Sequence, residues 1–120
     1  MKLSEREWTV LQALWQTDGA ELGTLVNLLH PETNWSRNTV LTYLTRMETK
    51  GLVAIDKSST PHIYRAVPDQ ESCRREERKS FVKRVYSGST GDLITAFLKE
   101  EMITSEERER LRRLLDEMEV

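Results

Sequence analysis

Residues 35–51 read WSRNTVLTYLTRMETKG, and the reading of this stretch decides the fold. Ser36 stands where a helix N-cap would be, and Lys50 followed by Gly51 supplies a favourable last-turn charge and a C-cap. At about 100° per residue, Val40, Leu44 and Met47 fall on one side. Asn38, Thr42, Thr45 and Thr49 fall opposite, flanked by Thr39 and Arg46. A solvated helix face is commonly built from Glu and Lys. This one is built from short hydrogen-bonding side chains with arginine at its ends, which suits the edges of bases in a DNA major groove. Asn can pair with adenine, Thr offers a hydroxyl or a methyl, and Arg can fork onto guanine or phosphate. Taken alone, the same pattern also fits a plain surface helix.

Upstream, Ser4-Glu5-Arg6-Glu7 forms a capping box, with Leu3 placed to staple onto Trp8. Trp8, Leu11 and Trp15, widened by Val10 and Leu14, predict an amphipathic helix with both tryptophans in the core, ended by Asp18-Gly19. A second helix over 20–30 carries Leu22, Leu25, Val26 and Leu29 and closes at His30-Pro31, because a residue before proline disfavours the helical region. Trp35 reads as a staple ahead of the third helix rather than as a base-stacking ring. Two short helices, a brief connection and a polar-faced third make a helix-turn-helix. Downstream, residues 52–55 and 62–67 flank a polar connector over 56–61 and predict a hairpin. A hairpin in that position is the wing of a winged helix. Its tip would carry Lys57, Ser58, Ser59 and Thr60 close to a phosphate.

Pro68-Asp69 marks a change of character. A helix over 70–87 is highly charged from Arg74 to Lys79 and turns apolar only at Phe81, Val82, Val85 and Tyr86, before Gly88 breaks it. A short helix over 92–99 presents Leu93, Ile94, Phe97 and Leu98. A last one opens with a Thr104/Glu107 capping box and presents Leu111, Leu114, Leu115 and Met118. These helices have too few apolar positions to bury one another and read as half of a core completed by a second copy. The expected fold is mainly α with a small β-hairpin: an N-terminal winged helix-turn-helix over 1–68 and a C-terminal helical dimerisation arm over 69–120.

With 120 residues, 38% apolar and 32% charged, the chain can hold one domain with an appendage, at an unfavourable surface-to-core ratio. The net charge of −2 is uneven: residues 1–35 carry −3, residues 36–65 carry +3 and residues 66–120 carry −2. The positive segment is the one that holds the polar helix, and binding of a phosphate backbone there would be steeply salt-sensitive. No apolar run approaches the ~20 residues needed to cross a bilayer. The opening MKLSEREW lacks a hydrophobic signal core, which speaks against export and membrane attachment. A lone Cys73 excludes an internal disulfide and fits a cytoplasmic location. His30 and His62 have no metal-ligand spacing, and Cys73 has no histidine near it in sequence. The pairs Glu76-Glu77, Glu100-Glu101 and Glu106-Glu107 alternate with basic neighbours as solvated faces do. No catalytic constellation assembles, so neither an enzyme nor a cofactor is expected.

Four stretches together resemble the penicillinase-repressor family of bacterial transcription repressors, the BlaI/MecI/CopY group, over nearly the full length. They are LSEREWTVLQALW (3–15), WSRNTVLTYLTRMETKGLV (35–53), IYRAV (63–67) and VYSGSTGDLITAFLKE (85–100). The resemblance implies a homodimer that sits on an inverted-repeat operator, blocks transcription and regulates antibiotic resistance. It implies that Ser36, Arg37, Asn38, Thr39 and Thr42 contact bases and phosphates, and that Arg46 pairs with the backbone or braces the fold. Lys50 at the helix end and Lys57 and Ser58 in the wing complete the expected DNA-binding set, and Phe81, Val85, Tyr86 and the apolar residues of the last two helices form the expected dimer face. A TACA/TGTA-like palindrome is the default operator. Relatives commonly have Pro-Lys in place of Arg37-Asn38 and often a polar or basic residue in place of Leu41, so the resemblance does not fix the operator bases that those positions read. In the β-lactam branch a membrane sensor leads to cutting just before a phenylalanine of the dimerisation arm. The matching bond is Ala96–Phe97, where relatives typically carry asparagine before the phenylalanine, and a sensor-linked protease is the implied partner. The copper branch needs a C-terminal cysteine cluster that this chain does not carry. The weak overall charge keeps a second reading open, a winged-helix protein-interaction module without sequence-specific DNA binding.

Overall fold

The computed structural model describes residues 2–100 and 102–118, so Glu101 of the acidic pair named above lies outside the described residues. Helix α1 (Glu5–Trp15) starts at the capping box: Ser4 Oγ accepts from the Glu7 amide at 3.1 Å, and Glu7 Oε1 accepts from the Ser4 amide at 2.8 Å. It buries Val10, Leu11, Ala13 and Leu14. The tryptophans sit lower on this stripe than expected. Trp8 and Trp15 are only half-buried and meet edge to face at 5.9 Å, with Trp15 Nε1 donating to the Pro68 carbonyl. Trp15 packs against the edge of the core, and Trp8 meets it from outside.

Helix α2 (Leu22–Thr33) begins later and ends later than the sequence predicts. Ala20 is not helical. It bridges Tyr64, exchanging two backbone hydrogen bonds of 3.1 and 2.8 Å, and so forms a third, one-residue strand beside the wing. Gly19 lets the chain reach it: φ is +119°, and a Cβ there would meet Ile63 at 3.0 Å and Arg65 at 3.1 Å. At the other end the helix runs through Pro31. A proline in the final turn removes one hydrogen bond, the one to Asn27, and Asn27 is exposed so that water can satisfy its carbonyl. Thr33 Oγ1 donates to the Leu29 carbonyl, and Asn34, at φ 55°, closes the helix with its amide on His30.

Helix α3 (Arg37–Thr49) follows after three residues. Strands β1 (Val53–Asp56) and β2 (Ile63–Ala66) pair antiparallel with Val53 opposite Ala66 and Ile55 opposite Tyr64. The core is one cluster drawn from α1, α2, α3 and the hairpin, with Leu11, Leu25, Val40 and Leu44 fully buried.

Contacts divide the chain into two compact units at Glu76/Glu77, inside helix α4 (Gln70–Val85). In the second unit, α5 (Thr90–Lys99) is capped by Ser89, whose Oγ accepts from the Asp92 amide. Helix α6 (Ser105–Glu117) has the expected capping box between Thr104 and Glu107. None of the described residues of α4, α5 or α6 is buried. By contrast, α1, α2 and α3 each bury three or more.

Candidate nucleic-acid interface

The two sides of α3 have opposite fates. Val40, Leu44 and Met47 are in the core, while Ser36, Arg37, Asn38, Thr42, Thr45, Arg46 and Thr49 are exposed, with Thr39 half-buried. Leu41 shares the outward surface and is 38% exposed. At the start of the helix, Ser36 Oγ accepts from the Thr39 amide at 3.2 Å and lies 3.1 Å from Thr39 Oγ1, so both hydroxyls are held by the cap. Thr42 Oγ1 donates to the Asn38 carbonyl at 2.9 Å, and Thr49 Oγ1 donates to that of Thr45 at 3.3 Å. With their protons engaged, these hydroxyls offer lone pairs and methyl groups outward, which suits base amino groups and thymine. Among the described residues, neither the Asn38 amide nor the guanidinium groups of Arg37 and Arg46 have a side-chain partner, so they are free to meet one from outside.

The end of α3 is fixed by a Schellman turn. The Leu52 amide bonds the Met47 carbonyl at 2.8 Å, the Gly51 amide bonds that of Glu48 at 3.0 Å, and Leu52 packs with Met47 in the core. Two of the expected cations are engaged with protein. Lys50 Nζ is 2.8 Å from Glu7 Oε2, and Lys57 Nζ is 3.7 Å from Glu48 Oε2, which links the wing to α3. Ser58 donates both its amide and its hydroxyl to Asp56, and these bonds hold the Asp56 carboxyl below the usual carboxylate range. The Ser58 hydroxyl is therefore left only to accept, a poor match for a phosphate oxygen.

Sequence reasoning placed Glu7 in the capping box and missed its second role. Only 7% exposed, it is the buried anchor for Lys50 and so joins the start of α1 to the end of α3. Burial works against its charge, but Lys50 and the Ser4 cap outweigh that and hold its carboxyl below the ordinary glutamate range. The legible sign was that a capping box uses one carboxylate oxygen, while Glu7 lies on the same helix side as Leu11 and Leu14. Tyr43 was missed as well. It stacks on Trp35 at 4.7 Å and accepts from Arg6 Nη1 at 2.8 Å, fixing the flank of α3 against α1.

The expected dimer residues split by exposure. Phe81, Tyr86 and Leu93 are half-buried, and Val85, Ile94, Phe97, Leu98, Leu111, Leu114 and Leu115 are exposed. Ala96 and Phe97 lie inside α5, with the Ala96 carbonyl accepting from the Glu100 amide. Among the described residues no three His, Cys, Asp or Glu side chains are close enough to hold a metal. Nor is any described helix long and apolar enough to cross a membrane. Cys73 is half-buried, and burial, then Glu76 and Asp69, pushes its thiol up, away from the reactive thiolate.

Three helices closed by a short wing, with the polar side of the third exposed, define a winged helix-turn-helix. A MarR family protein from Bacillus stearothermophilus has the same fold: TM-score 0.52 and 21% identity, covering 98% of this chain and 74% of that one. The description of the penicillinase repressor family matches residues 3–117, and the chain belongs to that family of transcription repressors rather than to any enzyme class. It is 25% identical over 115 residues to the methicillin resistance regulatory protein MecI of Mammaliicoccus sciuri, covering 96% of this chain and 94% of that protein. It is 24% identical over 116 residues to the penicillinase repressor of Bacillus licheniformis, with 97% and 91% covered.

Proposed function

We propose that this repressor acts as a cytoplasmic homodimer. Each copy lays the recognition helix over 36–50 into the major groove of one half-site of an inverted repeat, with the wing over 53–67 against the flanking backbone. The observation that carries this reading is the two-sidedness of α3: its apolar side completes the core, so its asparagine, threonine and arginine side is presented outward. Ser36, Arg37, Asn38, Thr39, Thr42 and Arg46 make the contacts. Lys57 adds charge near the backbone, and Lys50 acts mainly through Glu7 as a brace. The uncovered apolar residues of α5 and α6 support association with a second copy, which two-fold half-sites require.

Proteolysis fits the same arm as a means of release. Cutting between Ala96 and Phe97 would detach Phe97, Leu98 and all of α6 from the face that joins the copies, and linked binding of two half-sites would be lost. The bond lies within a helix, so a sensor-linked protease would have to unwind α5 to reach it.

Selection of bound fragments from random duplex DNA tests the whole reading. An enriched inverted repeat, bound with an affinity that falls steeply with salt, is expected. No enrichment and no binding at low salt would leave the protein-interaction module as the function.

A further inference from the structure

Resting on the DNA-binding reading of α3, we propose that Leu41 is a specificity residue that reads a thymine methyl group in each operator half-site. Leu41 is three residues from Asn38 and four from Thr45, so it is a surface neighbour of both. Two turns further along the same flank, Glu48 reaches Lys57 of the wing at 3.7 Å. Leu41 thus lies between the outward polar side of the helix and the flank that meets the wing. Leu41 stands at the edge of the apolar side, partly covered and partly open. Val40, Leu44 and Met47 already fill the inner side of α3 at 1% exposure or less, and 38% of Leu41 remains open.

A leucine among asparagine and threonine can neither donate nor accept a hydrogen bond. In the major groove the apolar group that distinguishes one base from the others is the C5-methyl of thymine. Thr42, beside it, has its hydroxyl proton on the Asn38 carbonyl and accepts outward, which suits the amino group of adenine or cytosine. The two side chains therefore read different groups, Leu41 a methyl and Thr42 a donor. Contact with the methyl also removes the open part of Leu41 from water, so the chemistry favours thymine over cytosine at that position.

The test uses operator duplexes selected by the protein itself. Each thymidine of a half-site is replaced in turn by deoxyuridine, which keeps every pairing group and removes only the methyl. Wild type and Leu41→Ala are titrated against each duplex. One thymine per half-site is expected at which uracil weakens wild-type binding about fourfold, the effect of losing one buried methyl group. Leu41→Ala is expected to bind the two duplexes equally there, and Leu41→Met to keep the preference. Alanine is a strong helix former at an exposed site, so the variant retains its fold. If no thymine is sensitive, or if Leu41→Ala keeps the full sensitivity, the inference is overturned. A protein that selects no sequence at all would instead overturn the DNA-binding reading on which it rests.

Discussion

Asn38 is open to an outside partner: its side-chain amide has none among the described residues, and its own backbone carbonyl already serves Thr42. Asn38→Ala is expected to cost about 1–3 kcal/mol on the selected operator and almost nothing on random duplex, because base contacts specify whereas phosphate contacts position. Lys57→Ala is expected to weaken both alike. Competition titrations check this, and equal losses on both duplexes for Asn38→Ala would remove it from base reading. Glu7 permits a different separation. Glutamine can still serve the capping box, so Glu7→Gln removes the charge that holds Lys50 and little else. With Lys50 largely exposed, the loss should stay below about 1 kcal/mol, while Glu7→Ala, losing the cap too, should cost about 1–2 kcal/mol. The pH dependence follows from the lowered carboxyl. A depressed folded value means stability that is complete above the unfolded value of about 4.3 and is lost as pH falls through the folded one. Denaturant midpoints measured downward from pH 5 should fall more steeply for wild type than for Glu7→Gln.

At the scale of elements, what was legible was local. The caps of α1 and α6 and the start and stop of α3 each depend on side chains within four residues of one another, and all three stand as their spacing indicates. What was illegible depended on distant chain. Ala20 leaves its helical run because Tyr64, more than forty positions away, offers it a strand partner. Pro31 stays inside α2 because it forgoes a single hydrogen bond, that to the exposed Asn27, and Asn34 supplies the cap. The polar side of α3 was readable from its period, but the engagement of Lys50 by Glu7 was not, since only the packing of α1 on α3 brings them together. The Schellman turn after α3 offers the cleanest test of an element. Gly51 has φ +81°, and nothing lies within 4 Å of the place a methyl group would take, so Gly51→Ala changes backbone strain without a clash. A loss of about 1–2 kcal/mol is expected from the left-handed conformation alone. Thermal unfolding at a lower temperature with unchanged operator specificity would show that the turn positions the helix and reads nothing itself.

At the scale of the whole molecule, the two units differ in how they are held. The first has a continuous core, whereas the described helices of the second bury no residue and leave Phe97, Leu114 and Leu115 open. A unit with that much apolar surface is covered by association or is a liability in solution. The sign of one substitution distinguishes the two cases. Leu115 is 67% exposed, so in a solitary chain Leu115→Asp would be neutral or would improve solubility. In a dimer joined through this face it places an unpaired carboxylate in an apolar contact, which costs several kcal/mol. Sedimentation at micromolar concentration is therefore expected to show two chains for wild type and one for Leu115→Asp. Operator affinity should fall at least tenfold, since a single copy holds only one half-site. Thermal unfolding of the first unit should be unchanged, because its core contains no residue of α5 or α6. A Leu115→Asp protein that remains two chains would move the dimer contact away from this face, and one with full operator affinity would uncouple association from DNA binding.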